Sequence, residues 1–93
     1  MKARWQNITI ADSDTWLELE GNIYFPISSV RQEYLVPSST ITVCPWKGAA
    51  HYYDVVVAGD ANKDAAWYYP EPKSAANNIK NYIAFGRGVE VVD

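Results

Sequence analysis

Sixteen residues of this chain are valine or isoleucine and only three are leucine. Together with eleven tryptophans and tyrosines they supply most of its apolar side chains. β-Branched and aromatic side chains lose rotamer freedom in a helix but suit the pleated, half-buried surface of a sheet, so a mainly β fold is expected. With 93 residues there is surface enough to bury one core and not two, and residues 1–93 are expected to form a single compact domain.

Alternation and punctuation predict the order of the strands. In "QNITIA" Ile8 and Ile10 share a face, and "ADSD" interrupts before "TWLELEGNIYF", which reads as two strands around Gly21-Asn22. Residues 27–39, "ISSVRQEYLVPSS", read as a connection with at most one helical turn, ended by Pro37 and two serines. "TITVC" is a strand with Ile41 and Val43 on one face and Thr42 and Cys44 on the other, stopped by Pro45, which has no N–H to give a ladder. Residues 49–69 predict a hairpin of "AAHYYDVVV" and "AAWYY" with "AGDANKD" as its turn. "PEPKSAANNIKNY" is expected to contain a short helix capped by Ser74, and "IAF", "GRG" and "VEVV" a closing hairpin. The expected architecture is a barrel-like antiparallel sheet of the complex-β kind with one short helix.

Charge and composition exclude several function classes. The net charge is −3, and the eight basic residues are spread singly along the chain. Nucleic acid, whose binding needs a concentrated positive surface, is therefore not an expected partner. No apolar run approaches the roughly 20 residues that cross a bilayer as a helix, so no membrane partner is expected. The start, "MKARWQNITI", has polar Gln6, Asn7 and Thr9 where an export signal needs a continuous apolar core. One cysteine makes neither an internal disulfide nor a multi-thiolate zinc cage, and a reducing cytoplasm fits best. No metal site and no cofactor are expected: "GRG" lacks a third glycine and a following helix, and neither a Walker lysine nor a Gly-x-Ser-x-Gly elbow is present.

Chemistry concentrates in "TVCPWKGAAHYYDVVV", which holds the only cysteine, the only histidine, Trp46 and Lys47. A thiol beside an imidazole and an ammonium has the surroundings that lower a thiol pKa, so Cys44, Lys47 and His51 are candidate catalytic residues. The structural alternative makes Cys44 a small buried hydrophobe at a strand end, Lys47 a solvated turn residue and His51 a half-buried strand residue, the commoner fate of a lone cysteine. Tyr24, Trp46, Tyr53, Trp67 and Tyr69 are candidate ligand-binding residues, because aromatic walls with a few polar groups make a small-molecule pocket, and on a flat face they make a protein interface. The acidic pairs Asp12/Asp14 and Glu18/Glu20 read as turn or solvated strand residues.

The strings "VCPWKGAAHYYDV" and "AAWYYPEPKSAANNIKNYIAF", with "LEGNIYFPISSVRQEYLVPSS" upstream, closely resemble the family known as domain of unknown function 427 over nearly the whole chain. The resemblance implies a compact, mostly β domain with a short helix, of a type also found in type B methionine sulfoxide reductases. It also carries a nucleotidyltransferase label, although the chain shows neither an Asp-x-Asp metal array nor a phosphate-gripping Gly-Ser element. The reductases' Cys-x-x-Cys zinc ligands are likewise not visible. Through the matched block the resemblance groups Cys44, Trp46, Lys47, His51, Tyr53, Trp67, Tyr69 and Tyr24 around one pocket. The leading expectation is a domain binding an unidentified small polar or anionic molecule, with Lys47 and His51 as anchors. The alternatives are an enzyme with Cys44 as nucleophile or redox thiol, and a structural module whose aromatics serve a homodimer.

Overall fold

A computed structural model describes all residues, Met1–Asp93, and the chain is mainly β. Nine strands run in order: β1 (Lys2–Trp5), β2 (Ile8–Asp12), β3 (Leu17–Leu19), β4 (Asn22–Pro26), β5 (Leu35–Cys44), β6 (Gly48–Val57), β7 (Asp60–Tyr68), β8 (Tyr82–Phe85) and β9 (Glu90–Val92). They form two antiparallel sheets, one of six strands ordered β3-β4-β8-β7-β6-β5 and one of three ordered β2-β1-β9. The turns Gln6-Asn7, Glu20-Gly21 and Ala58-Gly59 each have two residues at positive φ, the geometry whose twist matches paired antiparallel strands. Helical structure is limited to 3-10 segments at Ile27–Ser29, Gln32–Tyr34 and Ser74–Ile79. No helix is long and apolar enough to cross a membrane.

The middle strands of the larger sheet are covered on both faces, whereas most of β5 at its edge is exposed. One face meets the small sheet, where Phe25, Val55, Ala65, Ala66, Ile83 and Phe85 pack against Ala3, Ile10 and Ala11. Phe25 and Phe85 meet edge to face at 5.7 Å, the arrangement that the ring quadrupole favours. The other face is covered by the Ser74–Ile79 segment, whose Ala76 and Ile79 join Tyr24, Ala50, Tyr69 and Ala84 in a second core. Alanine at 50 and 84 leaves room for the large rings beside it.

Both neighbours of β6 carry extra residues at one level, β5 between Pro37 and Ile41 and β7 opposite Tyr53–Val55. These bulges are tied together by side chains. Ser38 and Thr40 hydroxyls donate to the two carboxylate oxygens of Asp64 at 2.5 and 2.8 Å, while the Asp64 N–H donates to Asp54 at 2.9 Å. Lys63 completes the group by pairing with Asp54 at 3.1 Å.

Several local expectations are corrected. Residues 2–5, to which the sequence pattern assigns no element, form a strand that pairs with β2 across the Gln6-Asn7 turn and with β9. β5 begins at Leu35 and runs through Pro37, which an outer strand tolerates because the missing N–H faces away from the ladder. The turn expected at 58–64 is only Ala58-Gly59, and Asp60–Asp64 already belongs to β7. β8 and β9 do not form a hairpin: β8 pairs with β4 and β7, β9 with β1, so Arg87-Gly88 carries the chain between sheets. Lys73, not Ser74, caps the last 3-10 segment, and without a side-chain bond.

Candidate functional site

Between β5 and β6 the chain turns through Pro45, Trp46 and Lys47, closing with Cys44 opposite Gly48. Gly48 has φ +113°, and a Cβ there would lie 3.2 Å from the Glu71 carbonyl oxygen, so only glycine lets the segment after β7 run this close. That segment clamps the turn. The Lys73 N–H donates to the Lys47 carbonyl at 2.9 Å and its ammonium to the Pro45 carbonyl at 2.7 Å.

Held in this way, the Lys47 side chain is directed inward. Lys47 is only 7% exposed, with its ammonium 5.3 Å from the centre of the Tyr69 ring and 5.8 Å from that of Trp46. Its counter-ion is Glu20, from the tip of the β3–β4 hairpin. One Glu20 oxygen accepts from the Lys47 ammonium and the other from the Trp46 indole N–H at 3.3 Å. Burial disfavours the Lys47 charge, but the bond to Glu20 and the neighbouring Tyr69 phenol outweigh it, and its pKa is raised. The bond from Lys47 holds the Glu20 carboxyl below its usual value against a smaller desolvation effect. Burial pushes the Tyr69 phenol up, opposed by the adjacent ammonium.

β-Sheet pleat decides which candidate residues meet. Cys44 pairs with Gly48 and Thr42 with Ala50, whereas Ile41 pairs with His51, so Cys44 and His51 project from opposite faces of the sheet. On the Cys44 face lie Tyr24, Trp67 and Tyr69, with the Trp67 indole donating to the Tyr24 hydroxyl at 3.4 Å and Cys44 half-buried at the margin. On the other face His51 lies 5.8 Å from Tyr68, and Tyr53 stacks on Tyr68 at 5.1 Å. Burial, then the Tyr68 phenol, raises the Tyr53 pKa. The expected shared pocket is therefore divided, with His51 and Tyr53 separated by the sheet from Cys44, Tyr24, Trp67 and Tyr69. Nor is there a hollow between the rings of the second core, where Tyr24 is fully buried and Trp67 lies against Gly86. An open depression of about 400 Å³ lies elsewhere, lined by Arg4, Trp5, Gln6, Asn7, Gly88 and Glu90. No three His, Cys, Asp or Glu side chains gather where they would hold a metal ion.

Glu20 and Lys73 are the site residues that sequence reasoning missed. Glu20 reads as an ordinary solvated acid and lies 27 positions from Lys47, and the one signal it carries is its place in a two-residue turn before "GNIYFP".

A family model described as "Domain of unknown function (DUF427)", NTP_transf_9, matches residues 1–93. The chain belongs to the DUF427 family. No curated protein matches it. In this DUF427 member the polar geometry centres on a buried ammonium and an indole N–H that share one carboxylate.

Proposed function

We propose that this DUF427 domain binds a small anionic molecule through a carboxylate or phosphate group, received by the Lys47 ammonium and the Trp46 indole N–H in place of Glu20. The observation that supports this is the asymmetry of the ion pair: the Lys47 side chain is 9% exposed and that of Glu20 46%. Withdrawing an ammonium from water costs several kcal/mol unless an anion faces it. Here that anion is a half-exposed side chain at a hairpin tip. The two donors are spaced to meet two oxygens of one planar or tetrahedral anion, and the Tyr69 and Trp46 rings flank the position. Tyr24 and Trp67 serve as the packed wall behind it, with Cys44 at its margin, while His51 and Tyr53 take no part.

Thermal unfolding of Glu20→Ala in acetate, malonate or phosphate, against chloride at equal ionic strength, tests this reading. An anion that replaces the missing carboxylate stabilises the variant by about 2.7 kcal/mol at 100 times its dissociation constant. The Glu20→Ala/Lys47→Met double variant is expected to show no anion-specific gain. Equal responses from the two proteins would contradict the proposal.

A further inference from the structure

β5 is an outer strand of the six-stranded sheet, and half of its free edge is unguarded. Edge strands offer unpaired N–H and C=O groups to any other strand, and natural proteins blunt them with charge, proline, bulges or brevity. The opposite edge, β3, is three residues long with Glu18 at its centre. In β5, Pro37 and the bulge between Pro37 and Ile41 guard the first half. From Ile41 to Cys44 no such device remains, Ile41 is 55% exposed and Val43 76%. Residues 34–46 are also the longest stretch of the chain without a charge.

We propose that the Ile41–Cys44 edge pairs antiparallel with the same edge of a second copy of this chain, about a two-fold axis at Thr42. Antiparallel pairing about such an axis matches each copy's donors to the other's acceptors without further design. In this register Ile41 lies across from Val43 of the second copy, twice, and Thr42 lies across from itself, both favourable cross-strand pairs. The face that carries Ile41 and Val43 also carries the partly buried rings of His51, Tyr53 and Tyr68, so the exposed apolar edge borders an aromatic surface on the next strands. Each chain bears a net charge of −3, which opposes association, and this uncharged run is where two copies meet with least repulsion. A pairing of four residues a side belongs with the small interfaces below roughly 1,200 Å², and the dimer is a weak one.

Sedimentation equilibrium of the full chain from micromolar to millimolar concentration tests the proposal. The wild type is expected to pass from monomer to dimer. Val43→Lys, at a side chain outside both cores, is expected to keep the wild-type unfolding temperature and remain a monomer throughout. Thr42→Cys in a Cys44→Ser background, placed on the proposed axis, is expected to form a disulfide-linked dimer on oxidation. A wild type that stays monomeric at the highest concentration overturns the proposal. So does a Val43→Lys protein that dimerises equally well, or a dimer that the Thr42→Cys pair fails to cross-link.

Discussion

Lys47 and Glu20 form an ion pair whose two halves lie in different surroundings, the ammonium nearly sealed and the carboxylate half in solvent. Lys47 as a whole is only 7% exposed, so its stem is buried along with the ammonium that lies over the Tyr69 and Trp46 rings. Lys47→Met keeps the stem and removes the buried charge, whereas Lys47→Ala also leaves a void. Urea unfolding is expected to place Lys47→Ala below Lys47→Met by about 2 kcal/mol. Equal stabilities would mean that the stem packs against nothing of consequence.

The opposed faces of Cys44 and His51 make a prediction about the thiol. With a sheet between them, the imidazole neither takes the thiol proton nor stabilises a thiolate by contact. The rate of Cys44 alkylation across pH is expected to be the same in the wild type and in His51→Ala. A drop in thiolate reactivity in the variant would show that the two groups communicate.

Gly48 and Gly21 both have positive φ, but they differ in what surrounds them. A Cβ at Gly48 meets the Glu71 carbonyl at 3.2 Å, whereas one at Gly21 meets nothing within 4 Å. Gly21→Ala is expected to cost about 1 kcal/mol from backbone conformation alone. Gly48→Ala is expected to cost about 2–3 kcal/mol, because it must also displace the segment that clamps the Pro45–Lys47 turn. Denaturant midpoints of the two variants give the comparison, and parity between them would remove the steric part.

Most of the fold was legible in the sequence, because strand content follows from β-branched and aromatic side chains, and each strand that alternates over a turn residue announces itself. Hidden were features set by partners distant in sequence. β1 gains β9 as a second partner from the far end of the chain, and β8 and β9 part company because different sheets claim them. The site was legible on one side only. "CPWKG" drew attention to Lys47 without showing that it is buried, and alternation correctly set Ile41 and Val43 against Thr42 and Cys44. Placing His51 required the register across the Pro45–Lys47 turn, which strand pattern alone does not supply. Glu20 was hidden for a different reason: nothing local distinguishes a carboxylate that closes on a lysine 27 residues away from one that points into water.

Acid should weaken the fold through two carboxylates. Lys47 lowers the Glu20 pKa from an ordinary 4.5, and the Ser38 hydroxyl first, then that of Thr40, lowers the Asp64 pKa from 3.8. A depressed folded pKa contributes stability that is present above the unfolded value and lost as pH falls through the folded one. Stability is therefore expected to decline below about pH 4.5, and Glu20→Gln/Asp64→Asn is expected to flatten that decline. An unchanged slope in the double variant would assign acid sensitivity to other groups.

The most direct measurement of anion binding at Lys47 and Trp46 follows the Trp46 indole N–H by NMR, assigned with Trp46→Phe, while Glu20→Ala is titrated with malonate and then phosphate. An anion seated between the two donors is expected to shift the Trp46 signal saturably and to leave that of Trp5, which packs against the first core in the three-stranded sheet, in place. The same titration of Glu20→Ala/Lys47→Met is expected to give no saturable shift. A Trp46 resonance that ignores both anions in Glu20→Ala would contradict the proposed function and leave Glu20 as a structural counter-ion.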